Sequence, residues 1–159
     1  MWWIVGVVAV VCVVATYLTW IASRVDRLHA RTTSASVALD AALVRRAVAA
    51  SDLADAEHLL ELRTVASSAL AAEVGEREAA ENSLTKMLRE LPYALDAPAM
   101  VEVASTSRRV ELNRHIHSDL VRDTLAMRRR RLVRVLRFTR KYPVPSYFDI
   151  EDPQLTAPS

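Results

Sequence analysis

The chain has 159 residues, of which 52% are hydrophobic and 25% are charged, with only two Gly, six Pro and one Cys. So few turn signals argue against a β-sandwich, a β-barrel and a Rossmann-type fold, and a single cysteine excludes a disulfide framework and any multi-cysteine metal site. The formal net charge of +2 is nearly balanced and implies no class of partner.

The first 23 residues contain no Asp, Glu, Lys or Arg. As a helix, the apolar run from Trp2 to Ala22 is about 32 Å long, enough to cross the hydrocarbon core of a bilayer. Tryptophans stand near both ends of the run, as rings that prefer the membrane interface do. A cleaved signal peptide is the alternative, but a basic start and a small-residue cleavage site are missing. The sequence therefore predicts a retained transmembrane anchor over residues 1–23.

The charges beside the anchor predict its orientation. Arg24, Arg27 and Arg31 follow the apolar run, whereas only the α-amino group precedes it. Positive residues stay on the cytoplasmic side of a membrane. We therefore expect a single-pass protein of the cell membrane with the N-terminus outside and the rest of the chain in the cytoplasm.

Small side chains recur along one stripe of the anchor at spacings of three and four residues. Such stripes let membrane helices approach closely, which predicts a membrane-protein partner or a second copy of the chain. The alternative is that a segment rich in Ala, Val and Thr forms such a stripe by chance. The stripe consists of Gly6, Ala9, Cys12, Thr16 and Thr19.

Residues 24–141 are predicted to form an antiparallel up-and-down helical bundle of about four helices, so that the fold class is all-α. The first helix continues the anchor to about Ala50, and its predicted buried seam is Val25, Leu28, Thr32, Ala35, Leu39 and Ala42. Ser51 and Asp52 are candidate caps of a second helix that ends near Gly75. Its expected apolar face is Leu53, Ala56, Leu59, Leu60, Ala66 and Leu70.

Proline positions define the last two predicted helices. The third, with Ala80, Leu84, Met87, Leu88 and Leu91 on one side, ends at Pro92. The fourth opens at Asp96 and Pro98 and runs to about Arg140, with a seam through Val103, Val110, His117, Val121, Thr124 and Leu125. Residues 142–159 are predicted to be an acidic, Pro-containing tail that is loosely ordered from Ser146 onwards, apart from the aromatic pair Tyr147 and Phe148.

Charge is segregated along the chain. Residues 51–107 carry four basic and eleven acidic side chains, whereas residues 108–141 carry twelve basic and three acidic ones. The basic block, Arg128–Lys141, can lie on anionic lipid, bind nucleic acid or dock on the acidic helices of its own bundle. A fourth helix that returns towards the bilayer favours lipid over nucleic acid. The cations of the block are Arg128, Arg129, Arg130, Arg131, Arg134, Arg137, Arg140 and Lys141.

Candidate catalytic chemistry is sparse. His115, His117 and Asp119 form an H-x-H-x-D sequence, but on a helix His117 is rotated by about 200° from His115, so the three cannot converge on a metal. No phosphate-binding glycine loop and no nucleophile elbow occur. We expect no catalytic, cofactor-binding or metal site, and hence no enzyme.

Four segments in chain order resemble the LemA family. They are LDAALVRR with Asp40, Arg45 and Arg46; ENSLTKML; NRHIHSDLVRD with Asp119, Arg122 and Asp123; and YFDIED with Tyr147 and Phe148. His117 and Ser118 stand where the family usually has an aromatic residue and Asn. The resemblance implies a membrane anchor with a cytoplasmic helical bundle, no assigned enzymatic activity, and a role in protein interaction or membrane organisation.

The charges in these segments suggest a polar contact inside the bundle. We expect some of Asp40, Arg45 or Arg46 on the first helix to pair with Arg122 and Asp123 on the fourth, which would define the register of a core built from small side chains. The alternative is that each is a solvated surface charge. The sequence as a whole predicts a membrane-anchored interaction or scaffolding module.

Overall fold

The computed structural model describes residues 1–73, 75–92, 98–129, 142–153 and 155. Within these ranges every regular element is helical: α1 is Trp2–Ala56, α2 is Leu60–Ala71, α3 is Arg77–Glu90 and α4 is Pro98–Arg129. The chain divides into two compact units. We call residues 1–34 and 119–146 the proximal unit, because it contains the N-terminal apolar run, and residues 35–118 and 147–159 the distal unit. The all-α prediction with four helices is confirmed.

Helix α1 runs without interruption through the predicted anchor and the first predicted bundle helix. The chain has no Pro and no Gly between Gly6 and Gly75, so nothing in the backbone breaks the helix. All six predicted seam residues are removed from solvent at least in part, and Leu39 and Ala42 are 3% exposed. The predicted continuation of the anchor into the first bundle helix is therefore confirmed.

The predicted helix start at Ser51 and Asp52 is wrong. Helix α1 passes through both residues because its continuation buries Leu53 and Ala54 in the distal core. The helix ends instead in a Schellman motif, in which the backbone N–H of Leu59 donates to the carbonyl of Ala54 at 2.8 Å. His58 occupies the left-handed position of this motif, with φ of 56°, where glycine is usual.

The later start of α2 also changes its buried face. Leu60 and Leu70, which were expected to be buried, are exposed, whereas Leu62, Ala66 and Ala69 are buried. Helix α2 ends at Ala71 rather than at Gly75. The predicted end of α3 before Pro92 agrees with the structure, and Pro98 lies in α4 as expected. The predicted opening of α4 at Asp96 and its extension from 130 to 140 lie outside the described residues.

The distal core is formed by all four helices. Its largest cluster combines small side chains of α1 and α2 with larger ones of α3 and α4. Alanines allow close approach of the helices but bury little area each, so the remaining space is filled by a few larger residues. The cluster includes Ala47, Ala50, Leu53, Leu62, Ala66, Ala69, Leu84, Leu88, Met100 and Val103.

The C-terminal segment, residues 147–153 and 155, packs on the distal unit, so the expected loose tail is wrong for this part of the chain. Ile150 is 4% exposed and contacts a cluster with Leu39, Leu43 and Val110, and Phe148 packs against the same cluster. The backbone N–H of Asp149 donates to Glu78 at 3.1 Å, and that of Glu151 donates to Asn82 at 2.8 Å. Helix α3 thus supplies side-chain acceptors for an extended segment that has no helix of its own.

This packing predicts that Ile150→Ala destabilises the distal unit. The substitution removes buried methyl and methylene groups, so we expect the free energy of unfolding to fall by about 2–4 kcal/mol. The exposed Val144 supplies the matched control, because Val144→Ala is expected to change it by less than about 0.5 kcal/mol. Urea unfolding of the full chain in neutral detergent, followed by circular dichroism, measures both. Equal effects of the two substitutions would contradict the packing of the C-terminal segment.

Candidate functional site

The N-terminal part of α1 presents apolar side chains to its surroundings rather than to a protein core. Trp2 is 93% exposed and Trp3 is 73% exposed, and the valines that follow are exposed as well. The helix is long and apolar enough to cross a membrane, and only 6% of its most apolar stretch is buried. A core helix of a soluble protein has the opposite pattern of burial, and an apolar surface of this size marks contact with a membrane or another protein.

The small-residue stripe of this segment is exposed too. Added atoms at Gly6 would meet nothing within 4 Å, so this side of the helix has room for a neighbour. The hydroxyl of Thr16 donates to the carbonyl of Cys12 and that of Thr19 to the carbonyl of Ala15, each at 2.9 Å. Because these hydroxyls are satisfied within the helix, they can enter an apolar environment at low cost.

Met127 of α4 and the later residue Tyr142 pack against α1 where the apolar run ends. Met127 and Tyr142 contact Ile21 and Val25, and the Tyr142 hydroxyl donates to the carboxylate of Asp26 at 2.7 Å. The ring of Tyr142 also lies 4.0 Å from that of His29, centroid to centroid. The C-terminal part of α4 therefore lies beside the C-terminal end of the apolar run.

Within the basic block, only Arg128 and Arg129 fall in the described residues. The guanidinium of Arg128 donates to the carbonyls of Tyr142, at 3.3 Å, and Pro143, at 3.1 Å, so this residue holds residues 142 and 143 beside the C-terminal end of α4. Arg129 is exposed. The other predicted cations of the block, Arg130, Arg131, Arg134, Arg137, Arg140 and Lys141, lie outside the described residues.

A cleft of about 440 Å³, here called the arginine cleft, opens between α1 and α4 in the proximal unit. Arg24, Arg27 and Arg31 line one side, and Asp123 and Met127 line the other. The guanidinium carbon of Arg24 lies 5.6 Å from the centroid of the Trp20 ring, which also borders the cleft. From the sequence, these arginines indicate only an orientation, because the spacing of residues within α1 does not predict that α4 lies beside them.

A second polar cluster is buried in the distal unit. Arg46 and Glu81 are both 0% exposed and form an ion pair with Nη1 and Oε2 at 3.2 Å. Arg46 Nη2 also donates to the hydroxyl of Thr85 at 2.8 Å, and that hydroxyl donates to the Glu81 carbonyl. Arg46 Nε and Glu81 Oε1 have no hydrogen-bond partner among the described residues. Some hydrogen-bonding atoms of the pair thus lack a partner, which raises the free-energy cost of burying the two charges.

Burial dominates the titration of this pair. It raises the pKa of Glu81 to about 7, although the positive charges of Arg46 and Arg77 oppose the change. The same desolvation lowers the pKa of Arg46, although the negative charge of Glu81 opposes the change. Glu81 therefore titrates in the physiological range, unlike an ordinary glutamate.

The predicted ion pairs between the first and fourth helices are wrong for those candidate residues that form ion pairs in the structure. Arg46 pairs with α3, and Asp40 lies 3.1 Å from Nη1 of Arg77, also on α3. Arg122 pairs with Asp119 one turn away on its own helix. Arg45 is exposed and donates only to the carbonyl of Ala41 among the contacts described. Inside the proximal unit, α1 and α4 are instead joined by a hydroxyl contact of 2.9 Å between Thr32 and Thr124.

The remaining candidates have structural positions. His117 is buried, as the seam of α4 predicts, and burial lowers its pKa, which favours the neutral ring. His115 is exposed, and among the described residues no three His, Cys, Asp or Glu side chains are grouped to hold a metal. Tyr147 is exposed, whereas Phe148 packs on the distal core.

Glu81 and Thr85 were not predicted as partners of Arg46, but the sequence does contain a signal for Glu81. Glu81 stands three and seven residues before Leu84 and Leu88, on the face of α3 expected to be buried, and Arg46 stands four residues before Ala50 on the corresponding face of α1. Opposite charges on two apolar faces indicate a buried pair.

Comparison of the chain with protein-family models, with curated proteins and with solved structures found no match in any of the three.

The raised pKa of Glu81 predicts an unusual dependence of stability on pH. Folding favours the protonated carboxyl, so this contribution is present below the ordinary pKa near 4.5 and is lost as pH rises through about 7. Between pH 4.5 and 8, the free energy of unfolding of the natural chain should fall by about 3 kcal/mol relative to Glu81→Gln. Urea unfolding across this pH range in neutral detergent measures the difference.

Glu90→Gln supplies the matched control, because Glu90 is an exposed carboxylate on the same helix. Its profile should run parallel to that of the natural chain. If Glu81→Gln also gives a parallel profile, then Glu81 is ionised in the folded state at the same pH as in the unfolded chain, and the proposed desolvation is wrong.

Proposed function

We propose that this chain is a single-pass membrane protein whose helical bundle acts as an interaction or scaffolding module at the membrane. The observation that carries the proposal is the continuity of α1, which passes from an exposed apolar surface into a packed core without a linker. A cleaved leader ends in a segment accessible to a protease, whereas residues 21 and 25 of this helix pack on Met127 and Tyr142. This packing supports a retained anchor.

The proposal includes an orientation and a location. The three arginines after the apolar run favour a cytoplasmic bundle and an outside N-terminus in the cell membrane. It also includes membership of the LemA family as a divergent member, supported by the four resembling segments, and the absence of catalytic activity and cofactors. The expected partner is another membrane protein or a second copy of the chain, engaged through the anchor.

The orientation predicts the result of a reporter fusion. A reporter that is active only outside the cytoplasm should give no signal when fused to Ser159, and one that is active only inside should give a strong signal. A matched variant replaces Arg24, Arg27 and Arg31 with Gln and adds three Lys before Trp2, which should exchange the two signals. An external signal from the unmodified fusion would reverse the proposed topology.

The small-residue stripe predicts how the anchor meets its partner. If Gly6 and Ala9 face a neighbouring helix, Gly6→Leu and Ala9→Leu should reduce complex size in neutral detergent while membrane insertion is retained. The control variants Val7→Leu and Val14→Leu add a methylene on the opposite side of the helix and should leave the complex intact. Size-exclusion chromatography with light scattering measures the complex. Equal behaviour of all four variants would show that the stripe makes no contact.

A second function, peripheral binding of anionic lipid through the basic block, is favoured by one contact. Met127, the residue before the block, packs against Ile21 and Val25 at the end of the apolar run. The block therefore begins at the level that headgroups would occupy around the proposed anchor. Duplex nucleic acid has no comparable support, because a block beside the bilayer would be covered by headgroups.

A further inference from the structure

We propose that the arginine cleft binds the phosphate of an anionic phospholipid headgroup. The inference rests on the proposed membrane anchoring and assigns a ligand to residues outside the basic block. Its first support is the spacing of Arg24, Arg27 and Arg31, which places three guanidiniums on one face of α1 within two turns. All three line the same cleft.

The charges of the cleft are not balanced by the protein. Among the described residues that line it, Asp123 is the one carboxylate against three arginines, which leaves an excess of two positive charges. Within the part of the chain that the structure describes, none of the three arginines is in an ion pair with a carboxylate. Guanidinium groups bind phosphate oxygens through two parallel hydrogen bonds, and a cluster of them without carboxylate partners is suited to an anion with several oxygens.

The position of the cleft identifies the source of the phosphate as a lipid. Arg24 is the first charged residue after 23 residues without charge, so the cleft begins where the proposed anchor leaves the hydrocarbon. Trp20, which borders it, is an amphipathic ring of the kind found at the level of headgroups. Leu28 and Met127 give the cleft an apolar part beside its charges, which suits the glycerol and first methylenes of a lipid.

The size of the cleft is also adequate. Ligand sites commonly have volumes of about 300–1,000 Å³, and the arginine cleft, at about 440 Å³, lies in this range. A phosphoglycerol headgroup is smaller than most of these ligands. Acyl chains attached to it would continue along the exposed apolar surface of residues 2–20.

The test measures lipid binding by the full chain, synthesised cell-free into neutral detergent micelles so that membrane topology plays no part. Native mass spectrometry counts the lipids bound while phosphatidylglycerol or phosphatidylcholine is titrated. We expect one phosphatidylglycerol to bind at least about tenfold more tightly than phosphatidylcholine, because each arginine near a net negative headgroup contributes about a fivefold gain. The triple variant Arg24→Gln, Arg27→Gln, Arg31→Gln should lose this preference.

Three further variants distinguish lipid binding in the cleft from nonspecific attraction by the positive charge of the chain. Arg45, Arg108 and Arg109 are exposed arginines outside the cleft, and their joint replacement by Gln removes the same charge and should leave binding unchanged. Asp123→Asn removes the carboxylate from the cleft and should tighten binding of phosphatidylglycerol by about threefold to fivefold. The third variant, with Arg130, Arg134 and Arg137 replaced by Gln, should retain the preference if the cleft holds the lipid.

The outcomes decide between sources and sites. Equal loss in the cleft and surface variants, or loss only in the basic-block variant, would overturn the proposal. In a separate experiment, inorganic phosphate is titrated against the bound phosphatidylglycerol. If phosphate displaces the lipid when the two are at equal concentration, the cleft binds a free anion instead of a lipid. Failure of the proposed membrane anchoring gives a different result from failure of lipid binding. A chain without an anchor stays monodisperse when detergent is removed. Circular dichroism of each variant shows whether its helices are intact.

Discussion

The structure depends on the unbroken continuation of α1 from an apolar surface into a helical core. A helix of 55 residues rises about 80 Å, and nothing in it acts as a hinge, since its one glycine lies near the beginning. Residues 2–34 of this helix belong to the proximal unit and residues 35–56 belong to the distal unit, so both units are built on one uninterrupted element. In each unit, other residues pack on their own part of α1: Met127 and Tyr142 contact Ile21 and Val25, whereas Val110 contacts Leu39 and Leu43.

The buried pair of Arg46 and Glu81 addresses a different problem, which is how a core of small side chains selects one arrangement. Alanines at Ala47, Ala50 and Ala66 are compatible with several relative positions of the helices, because small residues interlock weakly. Arg46 can meet Glu81 and Thr85 together in only one register. The pair costs desolvation energy, as the raised pKa of Glu81 indicates, and in return it penalises registers that leave either charge unpaired.

Much of the fold could be predicted from the sequence because helical periodicity reports burial directly. The seam of α1 through Thr32 and Leu39, and that of α4 through Val110 and His117, depend only on spacing along one helix. The boundary between α1 and α2 could not be predicted in this way. Ser51 and Asp52 are good caps, but a helix passes through such residues when burial of Leu53 outweighs their preference, and the actual end at His58 lacks the usual glycine signal.

For the candidate site, individual residues could be predicted from the sequence, but the residues that contact them could not. The three arginines after the apolar run were evident, but the opposite wall of the cleft, with Asp123 and Met127, comes from a helix about 100 positions later in the chain. Likewise, the spacing of Arg46 indicates that it is buried but not that α3 supplies its partner. Choosing among the acidic residues requires the spatial order of the helices, which periodicity within single helices does not contain.

The small side chains of the core also explain why the C-terminal segment has a structural role. Where alanines line two facing helices, the gaps between larger residues must be filled, and void space is costly. Arg46 is among the largest side chains that are fully buried, and it fills space that an aliphatic residue would occupy in a conventional core. Ile150 and Pro153 of the C-terminal segment are buried in the same distal unit, and Leu155 packs against its main cluster. The same deficit of apolar volume therefore accounts for both a charged residue in the core and an extended segment that completes it.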